Sequence, residues 1–480
     1  MTDSLKGISL TRATSLLLTG RVLGFVLSLG NSIILARLLG VEYLGQYAYA
    51  MGLAAMFGLL PNLGISAVVT RTIALEPQTS LGTLRAAVRA QVLLAVFVFG
   101  AVIGFAAVLP AQPVPTTYVI LAAAQLALGT LSWPYLAVLG GRARYDRLAV
   151  AELVVGLAGT GLLGLAAIWQ ASVAAFLWAQ VIAAGLSILV GRVVAAPFLP
   201  QTMSKPVSIR TLFGQAIPFG AAAAVQGFYT RADIMLLGQM SSPAIVGLYS
   251  AAYKPINMVI NFGSTIAGAL FPYLVQESRT GSSGSFDRLM KVLIVVAPGL
   301  ALGLTGFAPI LLALLYGRDF TAGAPILMIL AWSAAANWLY APLSVALQAR
   351  GKERQWAVAL ASVFFLNLAL NLWTIALWEG VGAAVSTLVS EAVLLGVAAF
   401  LVRRYLRFSI SLRVARSVFG AALLGGGLLY ALWSTGAVPA TAAALMGYGG
   451  MLLLFRVAST DDLLKLMGRF RETLQGHARA

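Results

Sequence analysis

Long apolar segments alternate with short polar segments along the whole chain. Each apolar segment holds about 20 residues, which is the length that an α-helix needs to cross the hydrocarbon layer of a bilayer. The pattern predicts about fourteen transmembrane helices. Their expected spans are 15–36, 44–69, 90–109, 117–139, 148–168, 173–195, 213–238, 246–274, 291–313, 322–347, 356–377, 381–402, 417–434 and 439–457. We therefore expect an all-α integral membrane protein.

Composition supports this expectation and excludes several kinds of chemistry. Hydrophobic residues make up 60% of the chain and charged residues 10%, whereas about a quarter of the residues in a soluble domain are charged. The chain has no cysteine and a single histidine, His477, which argues against thiol chemistry, disulfides and a metal site. No GxxxxGK[ST] loop is present, so we expect no ATP hydrolysis and no cofactor.

The distribution of positive charge predicts an orientation. The net charge is +17, but the charges fall in short loops rather than in basic patches with interleaved aromatic residues, so nucleic acid is not an expected partner. With a cytoplasmic N-terminus, 27 of the 32 basic residues lie on the cytoplasmic side, and the outer loops carry only Arg37 and Arg318. Positive loops are retained inside, so we expect both termini in the cytoplasm.

Three basic residues, Arg21, Arg231 and Lys254, fall inside predicted spans. An ionisable group at membrane depth usually faces a watery cavity lined by protein, because exposure to lipid costs several kcal/mol. A rise of about 1.5 Å per residue puts Arg21 roughly 10 Å from the cytoplasmic end of its helix. The same rise puts Arg231 and Lys254 roughly 10 Å from the outer ends of theirs.

Two pairs of segments match at offsets of a little over 200 residues and suggest an internal repeat. Residues 139–150 resemble residues 347–358, and residues 45–50 resemble residues 247–252. Both matches place one helix opposite the helix six positions later, as a duplicated six-helix unit requires, with a cavity between the units. We expect two six-helix lobes at 1–200 and 201–404, a two-helix hairpin at 405–457 and a cytoplasmic tail at 458–480.

The first two predicted helices carry a resemblance to a known family. The residues concerned are Gly20-Arg21-Val22, Ile34-Leu35-Ala36-Arg37-Leu38-Leu39-Gly40, Tyr43-Leu44-Gly45-Gln46-Tyr47, Asn62-Leu63-Gly64 and Arg71. With the plan of six, six and two helices, the chain resembles the bacterial polysaccharide or O-antigen flippases of the multidrug/oligosaccharidyl-lipid/polysaccharide exporter superfamily. It departs from their pattern at Val41, where the family usually has an acidic residue or proline.

The resemblance implies a flippase in the bacterial cytoplasmic membrane that works by alternating access. Its cargo would be undecaprenyl diphosphate bearing a short oligosaccharide, moved from the inner to the outer leaflet. Membrane lipids and other proteins of polysaccharide assembly are then candidate partners, and we expect a monomer. An inside-negative membrane potential would drive an anion outward by about 2.3 kcal/mol per charge per 100 mV. Coupling to inward sodium or protons is equally open.

A diphosphate cargo gives the intramembrane cations an expected role. Arg21 would capture the diphosphate from inside, Arg231 and Lys254 would hold it nearer the exit, and Asp233 would pair with a cation in the empty site. Lys254-Pro255 is an expected bending point, since proline removes a backbone hydrogen bond. The candidate substrate-binding residues are Arg21, Arg231, Lys254, Asp233, Asn31, Tyr249, Tyr253, Asn257 and Asn261.

Other interpretations of the same residues stay open. Arg21 could be a topology anchor that snorkels to the surface, Arg231 with Asp233 could be a structural pair, and the Tyr and Asn stripe could serve ordinary contacts between helices. Alternative functions are a peptidoglycan-precursor (lipid II) flippase and a cation-coupled drug exporter of the same superfamily. A drug exporter would favour acidic cavity residues. A membrane glycosyltransferase or polymerase fits less well, because every predicted outer loop is short.

Overall fold

The computed structural model describes residues 10–58, 60–77, 80–109, 113–170, 172–202, 207–214, 216, 231–269, 284–406 and 412–455. These residues form fourteen α-helices with three short 3-10 turns and no strand. The helices are α1 (Leu10–Met56), α2 (Ile65–Leu75), α3 (Leu81–Val108), α4 (Thr116–Thr130), α5 (Trp133–Gly141), α6 (Tyr145–Trp169), α7 (Val173–Ala195), α8 (Ala232–Met240), α9 (Pro243–Ala269), α10 (Gly284–Tyr316), α11 (Ala324–Ala349), α12 (Glu353–Leu406), α13 (Leu412–Ala431) and α14 (Ala437–Leu454). The prediction of an all-α membrane protein is confirmed.

The helices follow the predicted spans, although neighbouring spans are sometimes joined or divided. Within the described ranges, nine segments are long and apolar enough to cross a membrane. Helix α1 contains the first predicted span and part of the second, α12 contains the eleventh and twelfth, and α4 and α5 share the fourth. The predicted tail at 458–480 and residues 217–230 of the seventh span lie outside the described residues.

Sharp bends replace two of the predicted outer loops. Inside α1, Gly40 has φ 76° and ψ −178°, a conformation that glycine adopts readily because it has no Cβ. Inside α12 the bend lies at Trp378 and Glu379, and Glu379 has φ 46°. Two spans can therefore follow each other with almost no intervening loop.

The chain divides into two compact units. The first comprises Met1–Lys254 and Asn371–Ala383, and the second comprises Pro255–Leu370 and Ala384–Ala480. The boundary within α9 falls between Lys254 and Pro255, where the sequence predicts a bend. This division by contacts differs from the division into repeats, and the six-plus-six duplication stays a prediction.

In the first unit, α1 crosses the start of α9 at two glycines. A Cβ added to Gly45 would collide with the carbonyl oxygen of Pro243 and lie 2.9 Å from the Gly247 nitrogen. A Cβ added to Gly247 would collide with the carbonyl oxygen of Val41 and lie 3.1 Å from the Gly45 nitrogen. A Cβ added to either glycine would thus meet the residue four positions before the other glycine. Gly45 and Gly247 are also the first residues of the matching segments 45–50 and 247–252, so the contact is reciprocal between matched positions.

In the second unit, aromatic side chains bond to helix carbonyl groups. The Trp338 indole N–H donates to the Val259 carbonyl at 2.8 Å, and a Cβ at Gly263 would collide with the Trp338 ring. The Tyr448 hydroxyl of α14 donates to the Val295 carbonyl of α10 at 2.6 Å. The C-terminal helix pair is therefore joined to α10 by a partly buried hydrogen bond as well as by apolar packing.

The turns after α5 and α11 have the same local structure. After α5, Ala143 has φ 53° and the Arg144 N–H donates to the Leu139 carbonyl at 2.9 Å. After α11, Gly351 has φ 69° and the Lys352 N–H donates to the carbonyl five residues earlier, also at 2.9 Å. A left-handed residue followed by this bond is a common helix C-terminal motif. The turns occupy equivalent positions in the matching segments 139–150 and 347–358.

Candidate functional site

Helices α8 and α9 bring five of the sequence-predicted site residues into the first unit. Arg231 caps the start of α8 and Asp233 lies in its first turn. Tyr249 and Tyr253 follow on α9 one helical turn apart, and Lys254 is the next residue after Tyr253.

Asp233 is buried, and tyrosine rather than a cation satisfies its carboxylate. The side chain is 7% exposed. One carboxylate oxygen accepts a hydrogen bond from the Ile234 backbone N–H at 2.8 Å, and the other accepts one from the Tyr249 hydroxyl. A cation is the partner predicted for Asp233 in the empty site, whereas the hydrogen bond to its second oxygen comes from Tyr249. The tyrosine is itself fully buried.

Tyr249 also stacks on the next tyrosine of the stripe. The rings of Tyr249 and Tyr253 are nearly parallel, at 14°, with centroids 5.8 Å apart. Offset stacking at this distance is favourable for aromatic pairs. Since Tyr249 is buried and Tyr253 is half-buried, only Tyr253 can offer part of its surface to a ligand.

Arg231 and Lys254 are half-buried and lie within electrostatic range of each other. Arg231 also lies within electrostatic range of Asp233. In the part of the chain that the structure describes, neither cation has a carboxylate within the 4.0 Å of an ion pair. Two like charges in a partly buried position, with one carboxylate already held by a tyrosine, form an electropositive site. Such a site favours an anion.

The remaining predicted residues lie elsewhere. In the second unit, the Asn261 amide donates to the Asn257 side-chain oxygen at 3.0 Å and to its carbonyl at 2.8 Å, so these asparagines bond to each other. Asn31 is half-buried in α1, and its side-chain oxygen is buried without a hydrogen-bond partner among the described residues. Arg21 belongs to α1, but its side chain lies outside the described residues. The roles of all nine residues stay predictions.

The first unit also contains two tyrosine–glutamine contacts that were not predicted from the sequence. The Gln239 amide donates to the Tyr49 hydroxyl at 2.5 Å, and the Gln180 amide donates to the Tyr47 hydroxyl at 3.3 Å. The Tyr49 ring lies against Gly238, where a Cβ would collide with it. Two glutamines inside apolar spans were the available signal, because a buried amide needs a hydrogen-bond partner.

The fold is similar to that of several solved membrane transporters. A solved structure of the lipid II flippase MurJ, in an inward closed conformation, aligns with a TM-score of 0.71 and 12% identity over 92% of this chain and 99% of that one. An inward-facing multidrug resistance transporter of the MATE family aligns with a TM-score of 0.56 and 14% identity over 85% and 98%. A superfamily transporter from Pyrococcus furiosus aligns with a TM-score of 0.56 and 13% identity over 83% and 95%.

The sequence comparisons identify the family. Residues 10–278 match the family described as polysaccharide biosynthesis protein, and the chain belongs to it. A relative from Haloferax volcanii, described as a probable low-salt glycan biosynthesis flippase, Agl15, is 26% identical over 219 residues. That match covers 43% of this chain and 46% of the relative, so the chain spans about half the length of the relative it matches. The predicted resemblance to the polysaccharide flippases is confirmed.

Proposed function

We propose that the chain moves an undecaprenyl-diphosphate-linked oligosaccharide from the inner to the outer leaflet of a bacterial cytoplasmic membrane by alternating access. Membership of a polysaccharide biosynthesis family with a glycan flippase among its relatives supports a lipid-linked glycan as cargo. In this proposal Arg231 and Lys254 hold the diphosphate. Neither they nor the other residues carry out covalent chemistry, so the chain acts as a transporter and not as an enzyme.

The proposal rests on the proximity of Arg231 and Lys254, neither of which has a carboxylate within ion-pair distance among the described residues. A partly buried cation without a partner is costly, because the interior solvates charge less well than water. A diphosphate bears roughly two negative charges, and a planar guanidinium binds two phosphate oxygens at once. The site would thus be most stable when the cargo is bound. Tyr249 donates to one Asp233 oxygen, so this carboxylate forms no close ion pair with either cation, although it lies within electrostatic range of Arg231.

Tyr253 would contribute to the oligosaccharide part of the site. Sugars offer hydroxyl groups and flat apolar faces, and the half-buried Tyr253 presents an aromatic surface with a polar tip. Asn31 on α1 has a buried oxygen that could accept a hydrogen bond from a hydroxyl.

The energy for transport would come from outside the protein. The substrate's own charge is one source: two negative charges leaving an inside-negative cell gain about 4.6 kcal/mol at 100 mV. Inward flow of sodium or protons is the other. The proposal includes no cofactor, cytoplasmic N- and C-termini, and a monomer in contact with membrane lipids and with other proteins of polysaccharide assembly.

The test uses bacterial cells that depend on this chain for a surface glycan. We expect Arg231→Ala and Arg21→Ala to reduce surface glycan and to cause lipid-linked oligosaccharide to accumulate on the cytoplasmic side. Arg318→Ala is the matched control, because Arg318 is exposed and lies outside the site. Normal export by correctly inserted Arg231→Ala and Arg21→Ala variants would contradict the proposal. Rescue of cells that lack lipid II export, without effect on the surface glycan, would favour the lipid II alternative.

A further inference from the structure

The first unit contains a cation over an aromatic ring at the turn after α5. The Arg144 guanidinium lies 4.6 Å from the centroid of the Phe198 ring. Its two donors bond to the Asp146 carboxylate at 2.9 and 2.7 Å, which fixes its orientation. Phe198 lies in the short 3-10 turn after α7 and packs against the core of the unit. The contact therefore joins the turn after α5 to the end of α7.

The second unit contains the same contact at the equivalent place. The Lys352 ammonium lies 4.9 Å from the centroid of the Tyr405 ring. Lys352 follows the left-handed Gly351 as Arg144 follows the left-handed Ala143. Tyr405 lies in the last turn of α12, so this contact also joins the turn after the fourth helix of a predicted repeat to the end of the sixth. Tyr405 lies 53 residues after Lys352, and Phe198 lies 54 residues after Arg144.

Recurrence of the contact with different residues points to a shared mechanical requirement. Arg with Phe in one repeat and Lys with Tyr in the other keep the same chemistry, a cation on a π face. The first turn has a further tie, since the Arg142 guanidinium donates to the Phe198 carbonyl at 3.2 Å and to the Pro77 carbonyl at 2.6 Å. If Arg144 and Lys352 served only to keep their loops on the cytoplasmic side, the positive charge would be enough and no aromatic ring would be needed.

We propose that Arg144 with Phe198 and Lys352 with Tyr405 form one repeated brace, which keeps the fourth, fifth and sixth helices of each repeat together and stays closed throughout the transport cycle. Both braces lie on the side that the charge distribution predicts to be cytoplasmic. Arg144 and Lys352 are thus positioning residues that act through the helices and do not touch cargo. The proposal assumes that each group of helices moves as a rigid body during transport. It does not depend on which glycan is carried.

Hydrogen exchange tests the brace without any cargo. In the full-length reconstituted chain, Phe198→Leu should accelerate amide exchange in the turn at 142–147, and Tyr405→Leu should accelerate it at 350–354. Phe198→Tyr and Tyr405→Phe keep an aromatic ring and should keep slow exchange. Arg354→Gln, which removes an exposed cation near the second turn, is the control. Unchanged exchange in both leucine variants would overturn the brace, whatever the chain transports.

A covalent replacement tests whether the contact stays closed. The chain has no cysteine, so Arg144→Cys with Phe198→Cys can be linked selectively by a flexible bis-maleimide. Transport of a fluorescent undecaprenyl-diphosphate disaccharide into the outer leaflet of proteoliposomes should be lost in the unlinked double variant and restored by the link. A linked protein that is blocked while the unlinked one transports would show that the contact must open, and the brace would be refuted. If the original chain does not move this probe, the proposed cargo fails, and the exchange experiment still decides the brace.

Discussion

The glycine crossing of α1 and α9 should respond strongly to a single methyl group. A Cβ at Gly45 would collide with the Pro243 carbonyl and lie 2.9 Å from the Gly247 nitrogen. Real Cβ atoms essentially never come this close to another heavy atom, and both neighbours are backbone, so the helices themselves must separate. Overpacking of this kind typically costs 1–3 kcal/mol. At about 2 kcal/mol, Gly45→Ala would shift the equilibrium away from the closed crossing roughly 30-fold.

Cross-linking in the cysteine-free chain measures this shift. Glu42 and Ser242 are exposed and adjoin the crossing, so Glu42→Cys with Ser242→Cys should be linked efficiently by a short bis-maleimide in the original background. We expect Gly45→Ala to lower the yield. The control is Gly30→Ala, in the same helix, where an added Cβ meets nothing within 4 Å.

The reciprocity of the crossing gives a second, independent expectation. A Cβ at Gly247 would collide with the Val41 carbonyl, and a Cβ at Gly45 would collide with the Pro243 carbonyl. Gly247→Ala should therefore lower the cross-linking yield, as Gly45→Ala does. Equal yields in Gly45→Ala, Gly247→Ala and Gly30→Ala would refute the reasoning, because the backbone would then have absorbed the methyl group without separating.

Three further predictions concern hydrogen bonds. Tyr249→Phe leaves the buried Asp233 carboxylate without its hydroxyl donor and should cost about 1.5–3 kcal/mol of stability, measured by thermal unfolding in detergent; an unchanged midpoint would contradict this. Trp338→Phe removes the bond to the Val259 carbonyl and should cost about 1 kcal/mol in the same assay; full stability would mean that the bond contributes nothing. Arg142→Lys should be destabilising, because one ammonium cannot reproduce a fork that reaches two carbonyls; proteolysis of the folded chain should accelerate, and wild-type resistance would argue against the fork.

The sequence predicted the helices well because a membrane span has a strong local signal. About 20 apolar residues and a basic flank are enough to locate a span. The expected loop at 37–43 was less accurate, since Gly40 turns the chain within a residue or two. The division at Leu131 and Ser132 between α4 and α5 had only Pro134 as a local signal.

Contacts between helices were harder to predict than the helices. The stacking of Tyr249 on Tyr253 follows from a spacing of one helical turn on a single helix. The bond from Tyr249 to Asp233 joins different helices, and only the packing of α8 against α9 decides whether tyrosine or a cation reaches the carboxylate. Likewise, the match of segments 45–50 and 247–252 indicated a repeat but could not show that the two glycines touch.

The account's central claim is tested most directly by comparing cargo headgroups in proteoliposomes. The chain should flip a fluorescent undecaprenyl-diphosphate disaccharide faster than the same lipid with a monophosphate. Arg231→Gln with Lys254→Gln should abolish this preference in a protein that remains folded. Equal rates for the two lipids in the original chain, or an undiminished preference in the double variant, would contradict a cationic site for the diphosphate.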